Sequence, residues 1–359
     1  MDSILESILR EAATREASDI YLIAGKPLSM KIGGNIIEFS GDRLMPETTK
    51  DLLKKIYDMA SGREMSKVEE TGDDDFSFSL TGVARFRVSA FKQRGTLAAV
   101  IRVVAFDLPD PASLTIPPIA LEQAQRKKGL VLVTGPTGSG KSTTLACMID
   151  EINKTPNSHI ITIEDPIEFL HRHNKSVVSQ REVSLDTKNY AIALRAALRQ
   201  APNVILIGEL RDSETIEIAM TAAETGHLVL STLHTIGAAN TIDRIVDAFP
   251  ANQQGQIRVQ LSMVLGAVIS QQLVPKKDET GVLAAFEVMI VNDAIRNMIR
   301  ESKIHQIDSV ITSSVADGMM TMDSSLLKYY KEGQISDSAA IVFSTQPELM
   351  KKRLAAGAV

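Results

Sequence analysis

The sequence predicts an α/β chain: a small mixed domain at residues 1–107, a larger doubly wound domain at 119–290, and a helical C-terminal region at 291–359. Three observations predict it. Apolar residues alternate with polar ones in short runs up to residue 104, as in an antiparallel sheet packed on one face. After residue 118, continuous β-rich apolar runs alternate with helical patterns, as in a parallel sheet covered on both faces. Between them, residues 108–118 carry Pro109, Pro111, Pro117 and Pro118 and read as a linker or a pinned crossover.

In the first domain, Ile4, Leu5, Ile8, Leu9, Ala12 and Ala13 recur at helical spacing, and Ser3 with Glu6 makes a capping-box pattern. A strand follows at 19–23. Ile32 and Ile36-Ile37 flank Gly33-Gly34-Asn35 as a hairpin. A helix starts at Pro46 and carries Leu52, Leu53, Ile56 and Tyr57. Three strands close the domain: Phe76, Phe78 and Leu80 alternate, Thr81-Gly82 turns the chain, Phe86, Val88 and Ala90 alternate again, and 96–104 is the last. In the second domain, 129–134, 159–163, 204–207 and 228–232 read as buried parallel strands. Residues 259–274 are uncharged and read as a buried helix, too short and too rich in Gln and Ser to span a bilayer. Beyond about residue 290, short helices are punctuated by Gly318, Gly333 and Pro347.

Composition narrows the function. Of 359 residues, 44% are apolar and 23% charged, which excludes a disordered chain, and the net charge of −5 argues against a wholly basic nucleic-acid binder. The N-terminus lacks the basic start and apolar run of a signal peptide, and Cys147 alone permits neither an intrachain disulfide nor a cysteine zinc site. A cytosolic protein is expected, with any membrane role arising through partners.

The strongest signal is Gly135-Pro136-Thr137-Gly138-Ser139-Gly140-Lys141-Ser142, a full match to G-x-x-x-x-G-K-[ST] between a strand and a helical segment containing Thr143. Glycines let successive amides close around a phosphate, and the helix N-terminus adds partial positive charge. Lys141 would bridge β- and γ-phosphates and the Ser142 hydroxyl would ligate Mg²⁺, so the chain is expected to bind a nucleoside triphosphate. A chance glycine turn is the competing explanation, and the strand-and-helix setting weighs against it.

Three further clusters stand at strand ends. Ile161 to Pro166 closes on Glu164 and Asp165, where a carboxylate can polarise an attacking water, although Asp-Pro also suits a plain turn. The run from Val204 ends at Gly208-Glu209 as a Walker B strand should, with Glu in place of the commoner Asp; the longer side chain favours a magnesium-bound water over direct ligation. Arg211 and Asp212 read as an ion pair opening the next helix. His227 and His234 bracket the following strand and read as γ-phosphate sensors, against the bland alternative of structural histidines.

Together these motifs resemble the secretion ATPase superfamily, and most closely the twitching-motility pilus-retraction ATPases (PilT family). The likeness rests on GPTGSGKSTT, ITIEDPIEF, ALRAALRQ, ILIGELRDSETI, TAAETGHLVLSTLHT, TIDRIVDAFP and the octet AIRNMIRE, with Ala294, Ile295, Arg296, Asn297, Met298, Ile299, Arg300 and Glu301. That octet is close to the family's retraction signature. The resemblance implies a PAS-like N-terminal domain, a RecA-like ATPase core, a helical C-terminal tail, and a homohexameric ring that hydrolyses Mg-ATP to withdraw pilin. Glu164 would be the general base, Glu209 the Walker B acid, and His227 and His234 the His-box pair. Arg85, Arg87 and Arg102 would reach nucleotide phosphates, the alternative being a solvated basic face. Expected partners are a pilus platform protein of the inner membrane and, indirectly, pilin, with the motor on the cytoplasmic face, no nucleic acid and no membrane insertion.

Two departures qualify the likeness. Gln200, Ala201 and Asn203 stand where the family often has acidic residues, a pattern partly like the accessory retraction ATPase (PilU), and Met298 stands where Leu is commoner. In the octet, Asn292 or Asp293 would cap a helix with Ala294, Ile295, Met298 and Ile299 on an apolar stripe, leaving Arg296 and Arg300 for a partner. The competing functions are a pilus-extension or secretion ATPase, which usually carries a four-cysteine zinc element, a nucleic-acid translocase, for which aromatics (4%, no Trp) are sparse, and a nucleotide-gated scaffold, which needs no base at Glu164.

Overall fold

The computed structural model describes residues 2–60, 62–104 and 108–356; residue 107 and the Ser3 side chain of the capping pattern lie outside the described residues. Two compact units emerge, one of residues 1–107 with 168–170 and the other of 108–167 with 171–359.

The first unit begins with α1 (Asp2–Thr14), whose Leu5, Ile8, Leu9 and Ala12 are buried while Ile4 is exposed. Strands β1 (Asp19–Leu22), β2 (Pro27–Ile32) and β3 (Asn35–Arg43) follow, and the Gly33-Gly34 turn joins the last two with both glycines at positive φ. Helices α2 (Pro46–Met59) and α3 (Ser66–Thr71) precede β4 (Asp73–Leu80), β5 (Ala84–Gln93) and β6 (Thr96–Val104). The six strands form one antiparallel sheet in the order β3-β2-β1-β6-β5-β4. Along β5, Ala84, Phe86, Val88 and Ala90 are buried, which turns Arg85 and Arg87 to the opposite face. Arg87 lies directly across from Arg102 on the neighbouring β6, and Arg102 Nε reaches Asp19 Oδ1 on β1 at 3.1 Å. Arg85 Nη1 donates to Ser79 Oγ at 3.5 Å.

The second unit opens with a segment that is pinned to its own core: Leu114 and Ile116 pack beside β7, and Thr115 Oγ1 donates to the Ala284 carbonyl at 3.0 Å. In chain order come α4 (Pro118–Glu122), β7 (Gly129–Thr134), α5 (Lys141–Asn153), β8 (His159–Glu164), β9 (Val177–Glu182), α6 (Tyr190–Ala197), β10 (Val204–Ile207), α7 (Ser213–Glu224) and β11 (Leu228–Leu233). Then follow α8 (Ala238–Asp247), α9 (Ala251–Val264), β12 (Leu265–Pro275), β13 (Val282–Ile290), α10 (Asp293–Arg300), α11 (Ile307–Ser313), α12 (Met322–Lys331), α13 (Asp337–Val342) and α14 (Pro347–Ala356). The seven-stranded sheet runs β13-β12-β7-β11-β10-β8-β9, parallel throughout except for β12 against β13. Apolar clusters fill both its faces.

One expectation fails in part. The helix expected over 259–274 ends early: α9 stops at Val264, and from Leu265 the chain forms β12, the strand beside β7. A central strand buried on both faces shows the same unbroken apolar run as a buried helix, so periodicity could not separate them. β9 and β13 were also not anticipated.

Candidate functional site

Strand β7 is buried along its whole length and delivers the chain to Gly135, whose φ of +143° excludes an ordinary side chain. An added Cβ there would lie 2.2 Å from the Gln271 carbonyl oxygen of β12. Gly138 and Gly140 also sit at positive φ, and Gly140 caps α5. The loop therefore curls tightly onto the helix start, where the first-turn amides have no partner within the helix. Lys141 is buried and folds back, with Nζ donating to the carbonyls of Gly135 at 2.9 Å and Pro136 at 3.0 Å. Ser142 and Thr143 are half-buried on the same turn. Ser139 Oγ is buried with no hydrogen-bond partner, an orphan polar group inside a cradle lined by a lysine. Beside it a cavity of about 230 Å³ is walled by Leu114, Thr143, Leu273 and Leu283.

Because β7, β11, β10 and β8 are parallel and in register, their carboxyl ends share one edge. There the structure joins three of the expected residues. His234 Nδ1 faces Thr137 Oγ1 of the loop at 3.4 Å, and His234 Nε2 faces Glu209 Oε2 at 3.2 Å. With Nε2 donating to the carboxylate, Nδ1 accepts from the threonine. Arg211 grips the other oxygen of Glu209. Burial pushes the Glu209 carboxyl up, but hydrogen bonds from Arg211 and His234 outweigh it and hold the group below its usual range, as a carboxylate. Arg211 therefore does not pair with Asp212, which instead caps α7 by accepting from Thr215 N at 2.8 Å.

Glu164 occupies the same edge, with Oε1 accepting from Thr162 Oγ1 at 2.6 Å and Gln180 Nε2 at 3.2 Å. Its strand is three places from β7, about 14 Å at the usual strand spacing, so Glu164 stands beside the Glu209 strand rather than against the loop. His227 departs further from expectation. It precedes β11 whereas His234 follows it, which puts the two at opposite ends of a strand about 20 Å long. At that far edge His227 Nδ1 donates to the Ala222 carbonyl at 2.9 Å and fastens the end of α7. That places it about one strand length from the phosphate loop of its own chain.

The octet folds as α10, capped by Asn292, whose Oδ1 accepts from Ile295 N at 3.0 Å. Ile295 and Ile299 are buried, Met298 is half-buried, and Ala294 is exposed instead of joining the stripe. Arg296 is not held out for a partner: its Nη1 donates to the carbonyls of Ser262 at 2.8 Å and Met263 at 3.0 Å, in the last turn of α9.

Sequence reasoning missed Gln271, Gln180 and Tyr190. The Tyr190 hydroxyl would be 2.8 Å from a Cβ at Gly208, so a larger residue before Glu209 would have to push the Tyr190 ring tip aside. Burial, followed by the charges of Asp165 and Glu209, pushes the phenol up and keeps it protonated. The signal for Gln271 was available, since a polar residue in a long apolar run needs buried partners.

A family model for type II/IV secretion system proteins matches residues 1–318. The type IV pilus retraction ATPase PilT of Pseudomonas aeruginosa is 46% identical over 344 residues, covering 96% of this chain and 99% of that one. The type IV pilus ATPase PilU of the same organism is 40% identical over 336 residues, covering 94% and 87% respectively. A crystal structure of the pilus retraction motor PilT with bound ADP superposes with a TM-score of 0.88 at 50% identity, covering 97% of this chain and 99% of that one.

Proposed function

Since the chain belongs to the type II/IV secretion system protein family, we propose that it is a motor ATPase that hydrolyses Mg-ATP to retract type IV pili as a homohexamer. One observation carries the reading: the unbroken line Thr137–His234–Glu209, which ties the phosphate loop to an ionised carboxylate on the neighbouring strands.

In this reading, the amides opening α5 and the Lys141 ammonium receive the triphosphate. Lys141 exchanges two neutral carbonyls for anionic oxygens, a stronger pairing. Ser142 and, through water, Glu209 would hold Mg²⁺, and the ionised state of Glu209 suits that task; bound Mg²⁺ supplies charge that screens the phosphates. Glu164 acts as general base, its carboxylate aimed by Thr162 and Gln180. His234 senses the γ-phosphate and, through its second nitrogen, passes loss of that group to Glu209. The apolar cavity beside Thr143 suits the nucleobase. Arg85, Arg87 and Arg102 add phosphate contacts from a neighbouring subunit, Arg102 at the expense of its Asp19 bond.

Among the described residues no helix is long and apolar enough to cross a membrane. In this reading the motor works on the cytoplasmic face through a pilus platform protein, with Arg300 and Glu301 of the octet exposed to meet it. Greater identity to the PilT ATPase than to PilU supports a primary over an accessory motor. Phosphate release from assembled wild-type particles, Lys141→Ala and Glu164→Gln tests the chemistry. Turnover only in wild type is expected. Equal release from Glu164→Gln would remove the base, and none from wild type would favour a nucleotide-gated scaffold.

A further inference from the structure

Strand β12 flanks β7 on the side away from His234, and its Ser270 pairs with Thr134 where the phosphate loop begins. The next residue, Gln271, is 1% exposed and meets the loop from below. Gln271 Nε2 donates to the Ser139 carbonyl, and its Oε1 accepts from Thr144 Oγ1 at 2.8 Å. Only the amide nitrogen can serve the carbonyl, so the Ser139 bond fixes which end of the side chain faces Thr144. The backbone oxygen of the same residue fills the space left by the missing Cβ of Gly135. One side chain therefore holds both the end of the loop and the first turn of α5.

In a planar trans peptide, the carbonyl and the following N–H point in opposite directions. Drawing the Ser139 carbonyl toward β12 turns the Gly140 N–H away from β12. Nothing in the backbone alone enforces this, because Gly140 lies at φ +86° and glycine crosses readily between peptide orientations. An outward-flipped peptide would aim a carbonyl, not an N–H, at an incoming anion.

We infer that Gln271 is a positioning residue for polyphosphate binding: by holding the 139–140 peptide it presents the Gly140 N–H to the phosphate, and through Thr144 it locks that peptide to α5. This rests on the reading of residues 135–142 as the phosphate site. The contact is made equally to substrate and transition state, so its loss raises KM and leaves kcat nearly untouched.

The test uses the full-length assembly, a fluorescent ADP analogue and ATP turnover. Gln271→Glu keeps the shape but presents a carboxylate without a donor, and Gln271→Met keeps the volume without polarity. Both are expected to weaken analogue binding about tenfold, the scale of one charge-assisted hydrogen bond. KM should rise in parallel and kcat should stay within about twofold. Thr144→Val, which frees the other end of the amide, should weaken binding by a smaller factor. A lowered melting temperature in the nucleotide-free protein with unchanged analogue affinity would make Gln271 a packing residue and overturn the inference. Should both Gln271 variants fail to fold, unchanged affinity in Thr144→Val overturns it alone. Absence of analogue binding by wild type would instead strike the phosphate-site reading itself.

Discussion

Gly135→Ala puts one methyl group where the loop has no room. The added carbon would lie 2.2 Å from the Gln271 carbonyl oxygen and 2.7 Å from Ser139 Oγ, and ordinary contact begins at 3.4 Å. Relief of the first contact requires a shift of about 1.2 Å (3.4 less 2.2), before any correction for the φ of +143°. Strand β12 cannot provide it, because it is hydrogen-bonded to β7 on one side and β13 on the other. Held in place, the residue would suffer backbone strain and overpacking of about 1–3 kcal/mol each. The loop will move instead, exchanging much of that energy for misplaced amides, and a displacement near 1 Å costs on the order of 100-fold in function. Titration with a fluorescent ADP analogue should show affinity reduced about 100-fold, with kcat/KM falling alongside. Melting of the nucleotide-free protein should drop by only a few degrees. Gly255→Ala is the matched control: it lies inside α9 with nothing within 4 Å of an added Cβ. There the substitution should stabilise by about 0.5–1 kcal/mol. Wild-type affinity in Gly135→Ala would show that the loop is not built as described.

The two histidines should separate cleanly. His234→Ala breaks the line between the loop and Glu209 and should cut kcat about 100-fold, whereas His227→Ala should leave kcat/KM within about threefold and lower the melting temperature; steady-state phosphate release and calorimetry read both. Arg296→Ala removes two bonds to the last carbonyls of α9 and should destabilise by about 1–3 kcal/mol in denaturant titration, while Arg300→Ala, whose guanidinium donates to Asn297 Oδ1 of its own helix at 2.9 Å, should not. Glu287 is buried and accepts from Ala238 N at 2.7 Å, and burial, outweighing that bond, pushes its carboxyl above the usual 4.5. A raised carboxyl contributes stability that is fully present below its unfolded-state value and is lost as pH rises from there through the folded-state value. Glu287→Gln, which cannot ionise, should therefore gain on wild type in melting temperature between pH 5 and pH 8; a constant difference would refute the assignment.

Much of the fold was legible because most elements announced themselves through period and punctuation. The β5 run alternates so regularly that Arg85 and Arg87 could be assigned to one face before any coordinates. The turn glycines 33 and 34 marked a hairpin by conformation alone. Failure came where burial erases period. From Leu265 to Val274 both faces of the strand are covered, so polarity carries no directional information and helix and strand look alike. The cost was functional as well as topological, since the strand misread as a helix is the one that supports the phosphate loop.

For the site, local motifs fixed what each residue is but not which end of the sheet it occupies. His227 and His234 are seven apart along an extended chain, and the six residues of β11 between them suffice to carry one to each edge. Closeness in sequence is therefore not closeness in space here, and strand geometry alone predicts the separation. Glu209 shows the converse. Its role depends on Arg211, His234 and Thr137, and only the parallel register of β7, β11 and β10 brings the last two within reach. A hydrolytic site of this kind is an edge property: the sequence supplies the groups, and strand order decides which of them can answer the same phosphate.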